Sequence, residues 1–401
     1  MTFLEQSATA EASTEAAGGT NIQPVEYGRV SMLCALLACG AQMSDDSPAQ
    51  RTETSRGLAQ HAFDFARLAN WLLRPKSDTI QAMLLLSLFL QNDGQADAAW
   101  SLLGTVSRLA MSMGLHKMSP ASGAMNETEG HAEIWAMCKW QDCVLSMCFD
   151  RPVATSSQAA TSDELRNAMS TYHTHADCMG GLVRLSSEWL AEPEATRAST
   201  ANICRYIDYL DALEARDNST EQMIPSRPSR RTLIERMTLQ LYAGYLRGVM
   251  CRPALGRTSR LASDSLADKI LRNAISGTLR TMSAFVELSK LTKLPLRTWS
   301  MIHAGLSSAI MVEFVEDATR SSQLRQTQRA FLTLLTREYR DLASGRSSER
   351  PAWLSTPHLT YLCALQDLLR ERDNYQADGN GDDPRNGWSS GLWDAQNTSN
   401  E

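Results

Sequence analysis

Apolar positions along this chain recur at three- and four-residue steps, the spacing that puts side chains on one face of a helix. The clearest case runs from Trp100 to His116, where Trp100, Leu103, Val106, Ala110 and Met113 share a face. Gly104 interrupts it. An interior helix glycine costs up to about 1 kcal/mol against alanine, and the usual compensation is close approach of a neighbouring helix. Gly104→Leu is therefore expected to force helices apart and unfold the domain. Gly114 is the expected left-handed cap at the end, with Leu115 folding back onto the last turn.

The same periodicity predicts the other elements. In the opening helix, Val30, Leu33, Cys34, Leu37 and Ala38 form one face and Gly40 closes it. Polar residues 44–56 read as a loop, followed by a helix over 57–73. Asp78 is the predicted N-cap of a helix over 79–91, and the apolar run Ile80 to Leu90 marks that helix as the buried centre of a bundle. Asn92-Asp93-Gly94 reads as a tight turn. Residues 57–116 are thus three antiparallel helices with short connections. A helix over 131–149 stops before Arg151-Pro152, because a residue preceding proline is pushed out of the helical region. Further helices are predicted at 161–170, 178–191, 198–215, 232–251, 261–291, 296–317, 322–342 and 355–371, with a loop at 216–231. Residues 1–26 are mostly Ala, Ser, Thr, Glu and Gly, and residues 372–401 are rich in Asp, Asn, Gly and Ser, so both ends are predicted to be disordered. The expected fold is all-α: a single multi-helix bundle of about a dozen helices over residues 27–371.

Composition narrows the function classes. A 43% hydrophobic fraction supports a sizeable core, and 21% charged residues with a net charge of −6 describe an ordinary surface. That balance argues against a chain that binds nucleic acid by itself. The longest apolar run is shorter than the roughly 20 residues a bilayer needs, so no membrane partner is expected. Nine cysteines, an odd number without a C-x-x-C pair, read as reduced thiols.

Candidate chemistry is thin. A zinc binuclear cluster needs six cysteines in a compact basic segment. Cys138, Cys143 and Cys148 instead recur every five residues, which spreads them around a helix. His173, His175 and Cys178 lie close together but lack a fourth ligand, and His116 suits a helix C-terminal cation. There is no G-x-S-x-G elbow, phosphate loop or dinucleotide fingerprint. Asp45-Asp46 and Asp382-Asp383 fall outside the predicted helices, so neither makes the metal clamp of a helical enzyme. No catalytic residue, metal site or cofactor is expected. Arg227-Pro228-Ser229-Arg230-Arg231 is a basic loop that reads as solvated surface before it reads as a nuclear-import signal. The acidic tail carries Trp388 and Trp393, a composition equally suited to an activation segment and to a solubilising tail.

The Trp100–His116 run resembles the signature helix of the fungal-specific transcription factor domain, the middle homology region of fungal zinc-cluster regulators. Leu36 to Ala41 is similar to that family's opening helix. Trp135, Asp142, Arg151 and Pro152 match a second segment, in which Asp150 replaces the glycine of the family's G-R-P. The helix ending at Arg252-Pro253 resembles a third, and Trp299 to Leu306 a fourth. The resemblance implies a nuclear regulator of transcription, of a secondary-metabolite gene cluster, with a small-molecule effector and a homodimer as further expectations. It implies partnership with the transcriptional machinery or a DNA-binding protein. DNA itself would be a partner only through an upstream zinc-cluster segment outside this chain. The alternative is a helical adaptor, corepressor-like, acting through a DNA-bound partner.

Overall fold

The computed structural model describes residues 26–117, 127–155, 174–221, 228–258, 265–315, 322–338 and 356–378. Among them lie fourteen α-helices and no strand. In chain order, the first five are α1 (Tyr27–Gln42), α2 (Pro48–Leu68), α3 (Ser77–Asn92), α4 (Ala96–Ser112) and α5 (Glu127–Phe149). The next five are α6 (His175–Ala191), α7 (Glu194–Arg197), α8 (Thr200–Glu221), α9 (Arg230–Thr258) and α10 (Ser265–Leu291). The last four are α11 (Leu294–Arg297), α12 (Trp299–Val315), α13 (Ser322–Glu338) and α14 (Thr356–Asp378). The all-α expectation holds. The predicted helix over 161–170, the N-terminal segment to residue 25 and the tail beyond Asp378 lie outside the described residues.

Several boundaries move for local reasons. Residues 48–56 are helix, not loop: Ser47 caps α2 by accepting from the Gln50 amide, and Pro48 supplies the preset φ of a first helical residue. Asp78 is not the cap of α3. The helix starts at Ser77, the Thr79 hydroxyl accepts from the Lys76 amide at 2.9 Å, and Asp78 sits in the first turn, where its charge complements the helix dipole. A reciprocal box between Thr174 and Asp177 starts α6 at His175. Pro253 does not end α9, which continues to Thr258. One helical hydrogen bond is forfeited there, while Cys251 and Ala254 stay buried on either side of the proline. The last helix runs past the predicted residue 371 to Asp378.

The buried side chains form two clusters. The N-terminal core joins α1 to α4 with the first part of α5 and is rich in alanine, including Ala35, Ala38, Ala59, Ala62 and Ala66. The C-terminal core joins the end of α5 to α6, α8, α9, α10, α12, α13 and α14, and holds Trp189, Tyr245, Phe285 and Phe331.

In the N-terminal core, α1 turns Ser31, Ala35 and Ala38 inward, and the Ser31 hydroxyl donates to the Ala62 carbonyl of α2 at 2.7 Å. The predicted face is therefore only partly right. Leu33, Leu36 and Leu37 point outward, 53%, 55% and 49% exposed. Small residues face the partner because they let the two backbones approach.

Gly104 also departs from expectation. A Cβ built there meets nothing within 4 Å, so no helix presses on it. The close approach is elsewhere, between α9 and α10: a Cβ on Gly244 would lie 2.8 Å from the Gly277 carbonyl oxygen, and one on Gly277 would lie 2.8 Å from that of Gly244. Beside this crossing Arg247, with its side chain 5% exposed, pairs with Asp211 at 2.6 Å and Glu214 at 2.7 Å. Gly114 and Gly94 do take positive φ, +79° and +78°, as their cap and turn roles require. Among the described residues no helix is long and apolar enough to cross a membrane.

Candidate functional site: an aromatic and histidine seam

The two cores meet where α5 ends and α12 begins. Phe149 is the last residue of α5 and Asp150 follows at φ +49°. The Arg151 amide reaches back to the Ser146 carbonyl at 3.0 Å, the six-to-one bond of a Schellman ending. Asp150 therefore occupies the left-handed position that glycine normally fills, which is where the resembled family has its glycine. Aspartate tolerates that region better than most residues, and its carboxylate accepts from Arg197 at 2.6 Å. Buried Asp142 secures the segment that follows by accepting from the Thr155 amide at 2.7 Å. Burial raises the Asp142 pKa, and hydrogen bonds from Thr155 oppose that rise.

Arg151 then folds across the end of α5. Its guanidinium lies 4.8 Å from the Trp100 ring centroid and 4.4 Å from that of Phe149, and it donates to Asp97 at 2.8 Å. Phe149 stacks on Trp299 at 5.6 Å. Trp299 opens α12, and its backbone amide donates to the Asn92 side chain at 3.0 Å. The end of α3 thus satisfies an orphan donor at the start of α12.

Trp299 also stacks on His303 at 5.2 Å, one turn along α12, and on His358 of α14 at 4.9 Å. His303 Nδ1 and His358 Nε2 are 3.3 Å apart, so one proton lies between them. The other ring nitrogen of His358 is buried without a partner. Tyr245 of α9 meets His303 edge-on at 6.1 Å, and Arg252 sits 5.7 Å from the Tyr245 ring while donating to Ser307. Tyr242 and Ser300 share a 2.8 Å hydrogen bond one turn away.

Burial governs the electrostatics of this seam. It holds His303 well below the ordinary imidazole pKa, with His358 and Arg252 adding to the effect, and it lowers His358 to about 3. Both rings are neutral near pH 7. Burial also pushes the Cys148 thiol up to about 12, and those of Cys138 and Cys143 likewise. Protonated thiols are neither nucleophiles nor metal ligands. The arrangement positions helices, and its sensitive point is any event that would place charge on the imidazoles.

Other candidate residues do not converge. His116 lies in a 3-10 turn, 6.1 Å edge-on to Trp135. Cys178 points into the C-terminal core while His175 opens α6, and His173 lies outside the described residues. Asp45 pairs with Lys293, whereas Asp46 accepts from the Ser44 hydroxyl at 2.8 Å. Arg230 donates to the Leu291 carbonyl and Arg231 pairs with Glu235 at 2.8 Å; Arg227 and Asp382-Asp383 lie outside the described residues. Among the described residues no three His, Cys, Asp or Glu side chains gather as metal ligands. Sequence reasoning missed Asn92, Phe149 and His358 as seam residues. Only Phe149 carried a signal, its place before Arg151-Pro152.

Comparison with known proteins bears on the first part of this seam. No curated protein and no solved structure matches the chain. Residues 1–164 match the family model described as the fungal specific transcription factor domain. That span includes the Trp100 helix and Arg151-Pro152, while the Tyr245–Arg252 and Trp299–His303 segments lie past it. The chain is thus similar to a fungal specific transcription factor domain over residues 1–164.

Proposed function

We propose that this protein acts in the nucleus to control transcription of a biosynthetic gene cluster of the secondary-metabolite kind, with the seam as its gating element. The observation that carries the gating role is convergence. Residues of the resemblance that are far apart in sequence, Trp100, Arg151, Arg252, Trp299 and His303, form with Phe149 and Tyr245 one line of contacts from α4 to α9. Regulatory transitions commonly shift packed units against one another across an interface of this kind. The test is the transcript profile of a strain lacking the gene against one carrying Trp299→Ala at normal protein level. Both should lose transcripts from one contiguous set of genes. Unchanged transcripts in either strain overturn the proposal.

A second reading concerns how the protein reaches DNA. All nine cysteines are free and scattered, and the net charge is −6. These features favour an adaptor that works through a DNA-bound partner, or through a segment outside this chain. A gel-shift with purified protein over a salt series separates direct from indirect action, since phosphate contacts weaken steeply with salt. Salt-dependent binding by the chain alone removes the adaptor reading. The polar crevice beside Asn92, Asp93 and Arg297 holds only about 20 Å³, room for a water or two and not for an effector.

A further inference from the structure

The polar crevice next to the seam is a junction of four helices. Gln42 ends α1, Arg51 and Thr52 stand near the start of α2, Asn92 and Asp93 mark the end of α3, and Arg297 closes α11; all of them line the crevice. Its charge is out of balance. Arg51 and Arg297 are 6% and 8% exposed, so two guanidinium groups are buried beside one small space. Arginine cannot shed its proton to escape burial, as lysine or histidine can. The cost of burying it has to be met by acceptors or by negative charge.

Nearby carboxylates are engaged by other donors. Asp93 is the one carboxylate among the described residues that line the crevice. Arg56 donates to both of its oxygens, at 3.1 and 3.2 Å, and Gln95 donates to one of them at 2.9 Å. Three guanidinium groups thus stand against one carboxylate. Asp45, on the α1–α2 loop, pairs with Lys293. Lys293 first, then Arg297 and Arg51, hold its carboxyl below the usual aspartate pKa, so the positive potential of the buried arginines extends as far as that loop.

Arg297 also has an unmade bond. One terminal nitrogen of its guanidinium donates to the Ser44 carbonyl, while its Nε is buried without a hydrogen-bond partner. A buried donor on a charged group is costly to leave unpaired. Size limits what can satisfy it. The crevice holds about 20 Å³, room for a water or two. A single monatomic anion fits, whereas a phosphate group or an organic acid is too large.

We propose that this crevice binds one chloride-sized inorganic anion, held by the guanidinium groups of Arg297 and Arg51. The anion gives the Arg297 Nε–H an acceptor and offsets part of the buried charge. It also ties the two halves of the molecule together. Arg297 stands two residues before Trp299, and Asn92, whose side chain accepts the Trp299 amide at 3.0 Å, lines the same crevice. The site holds whether or not the seam gates transcription.

The test is urea unfolding of the purified full-length protein at fixed ionic strength, with chloride replacing isethionate, an anion too large to enter. Chloride that binds only the folded state shifts the folding equilibrium about elevenfold at ten times its Kd, so the urea midpoint should climb with chloride. Chloride NMR should show excess line broadening over a protein-free sample. Arg297→Met removes a cation and keeps the apolar stem. Thr52→Asp, at a half-buried lining position, places a carboxylate beside the arginines. Each should abolish the chloride dependence and the excess broadening, and Thr52→Asp in isethionate should reach the midpoint of the parent in chloride. Thr52→Asp decides the matter where the Arg297 variant does not fold. Equal parent midpoints in chloride and isethionate, without excess broadening, would leave water in the crevice and overturn the proposal. A chloride effect that survives Thr52→Asp undiminished also overturns it, because the anion would then lie elsewhere.

Discussion

The N-terminal core is rich in alanine, above all between α1 and α2, whereas the C-terminal core leans more on aromatic, leucine and methionine side chains, and each solves the approach of helices in its own way. Between α1 and α2, rows of small residues allow contact along the pair, and the leucines of α1 are displaced to the outside. Between α9 and α10, the backbones come closest at Gly244 and Gly277, where an added Cβ would meet backbone, and bulky residues pack around that point. The first arrangement spreads tolerance over many positions; the second concentrates sensitivity in two. Trp299 belongs to the N-terminal cluster although the rest of α12 lies in the C-terminal one. The two styles of packing are thus joined by one large ring, and perturbing that ring should separate them.

The largest expected effect follows from this. Trp299 is 3% exposed and stacks on Phe149, His303 and His358. Trp299→Ala should cost about 3–5 kcal/mol and split a single urea transition, followed by far-ultraviolet circular dichroism, into two. A loss below about 1 kcal/mol with one retained transition would show that the cores are coupled elsewhere.

Next come the glycines. Gly277→Ala places a Cβ against backbone and should cost about 3 kcal/mol. Gly104→Ala meets open space and should leave stability unchanged or raise it by up to about 1 kcal/mol. Equal losses at the two positions, measured as denaturation midpoints, would erase the contrast drawn between the cores.

The two histidines give the comparison a pH axis. In the unfolded chain an imidazole takes its proton near pH 6.5, whereas in the fold both resist it, His358 down to about 3. The unfolded state then binds more protons between these values, so stability falls as pH drops below about 6.5. The limiting slope is about 1.4 kcal/mol per pH unit for each ring. Denaturation at pH 7.5, 6.0 and 5.0 should show this loss, and His358→Gln should remove about half of the slope. A variant with the full slope would place the proton-linked change outside the seam.

What was legible in the sequence divides along the same line. Helices with a single apolar stripe, such as α4, disclosed both their existence and their buried face: Leu103, Val106 and Ala110 are fully buried as the spacing required. In α1 apolar residues surround the axis, and periodicity could not say that alanine rather than leucine faces the partner. The start of α2 was hidden because its inward residues there are Arg51 and Ser55, so a helical face looked like a polar loop, although Ser47-Pro48 signalled a start. Gly104 misled because a glycine within an apolar stripe implies a neighbour only where the backbone is approached. Most of the seam was beyond reach. His303 and His358 are 55 residues apart, and no local pattern announces that their rings meet.

The smallest expected effect tests whether a departure from the family's pattern is a liability or a trade. Asp150 holds φ +49° where the resembled family has glycine. Asp150→Gly should relieve that strain, about 1 kcal/mol for a non-glycine residue in the left-handed region, and add unfolded-state entropy of comparable size in opposition. The ion pair to Arg197 is also lost, but the Asp150 side chain is 68% exposed and such pairs contribute at most about 1 kcal/mol. These terms nearly cancel, so the net change should lie within about 0.5 kcal/mol. Asp150→Ala separates them, because alanine drops the ion pair and also lacks aspartate's tolerance of the left-handed region, where an ordinary residue is strained by up to about 2 kcal/mol. It should fall below both the parent and the glycine variant by about 1 kcal/mol. If alanine instead matched glycine, the left-handed turn would not be what shapes the Arg151 clamp, and the stacking of Arg151 on Trp100 and Phe149 would have to hold the end of α5 by itself.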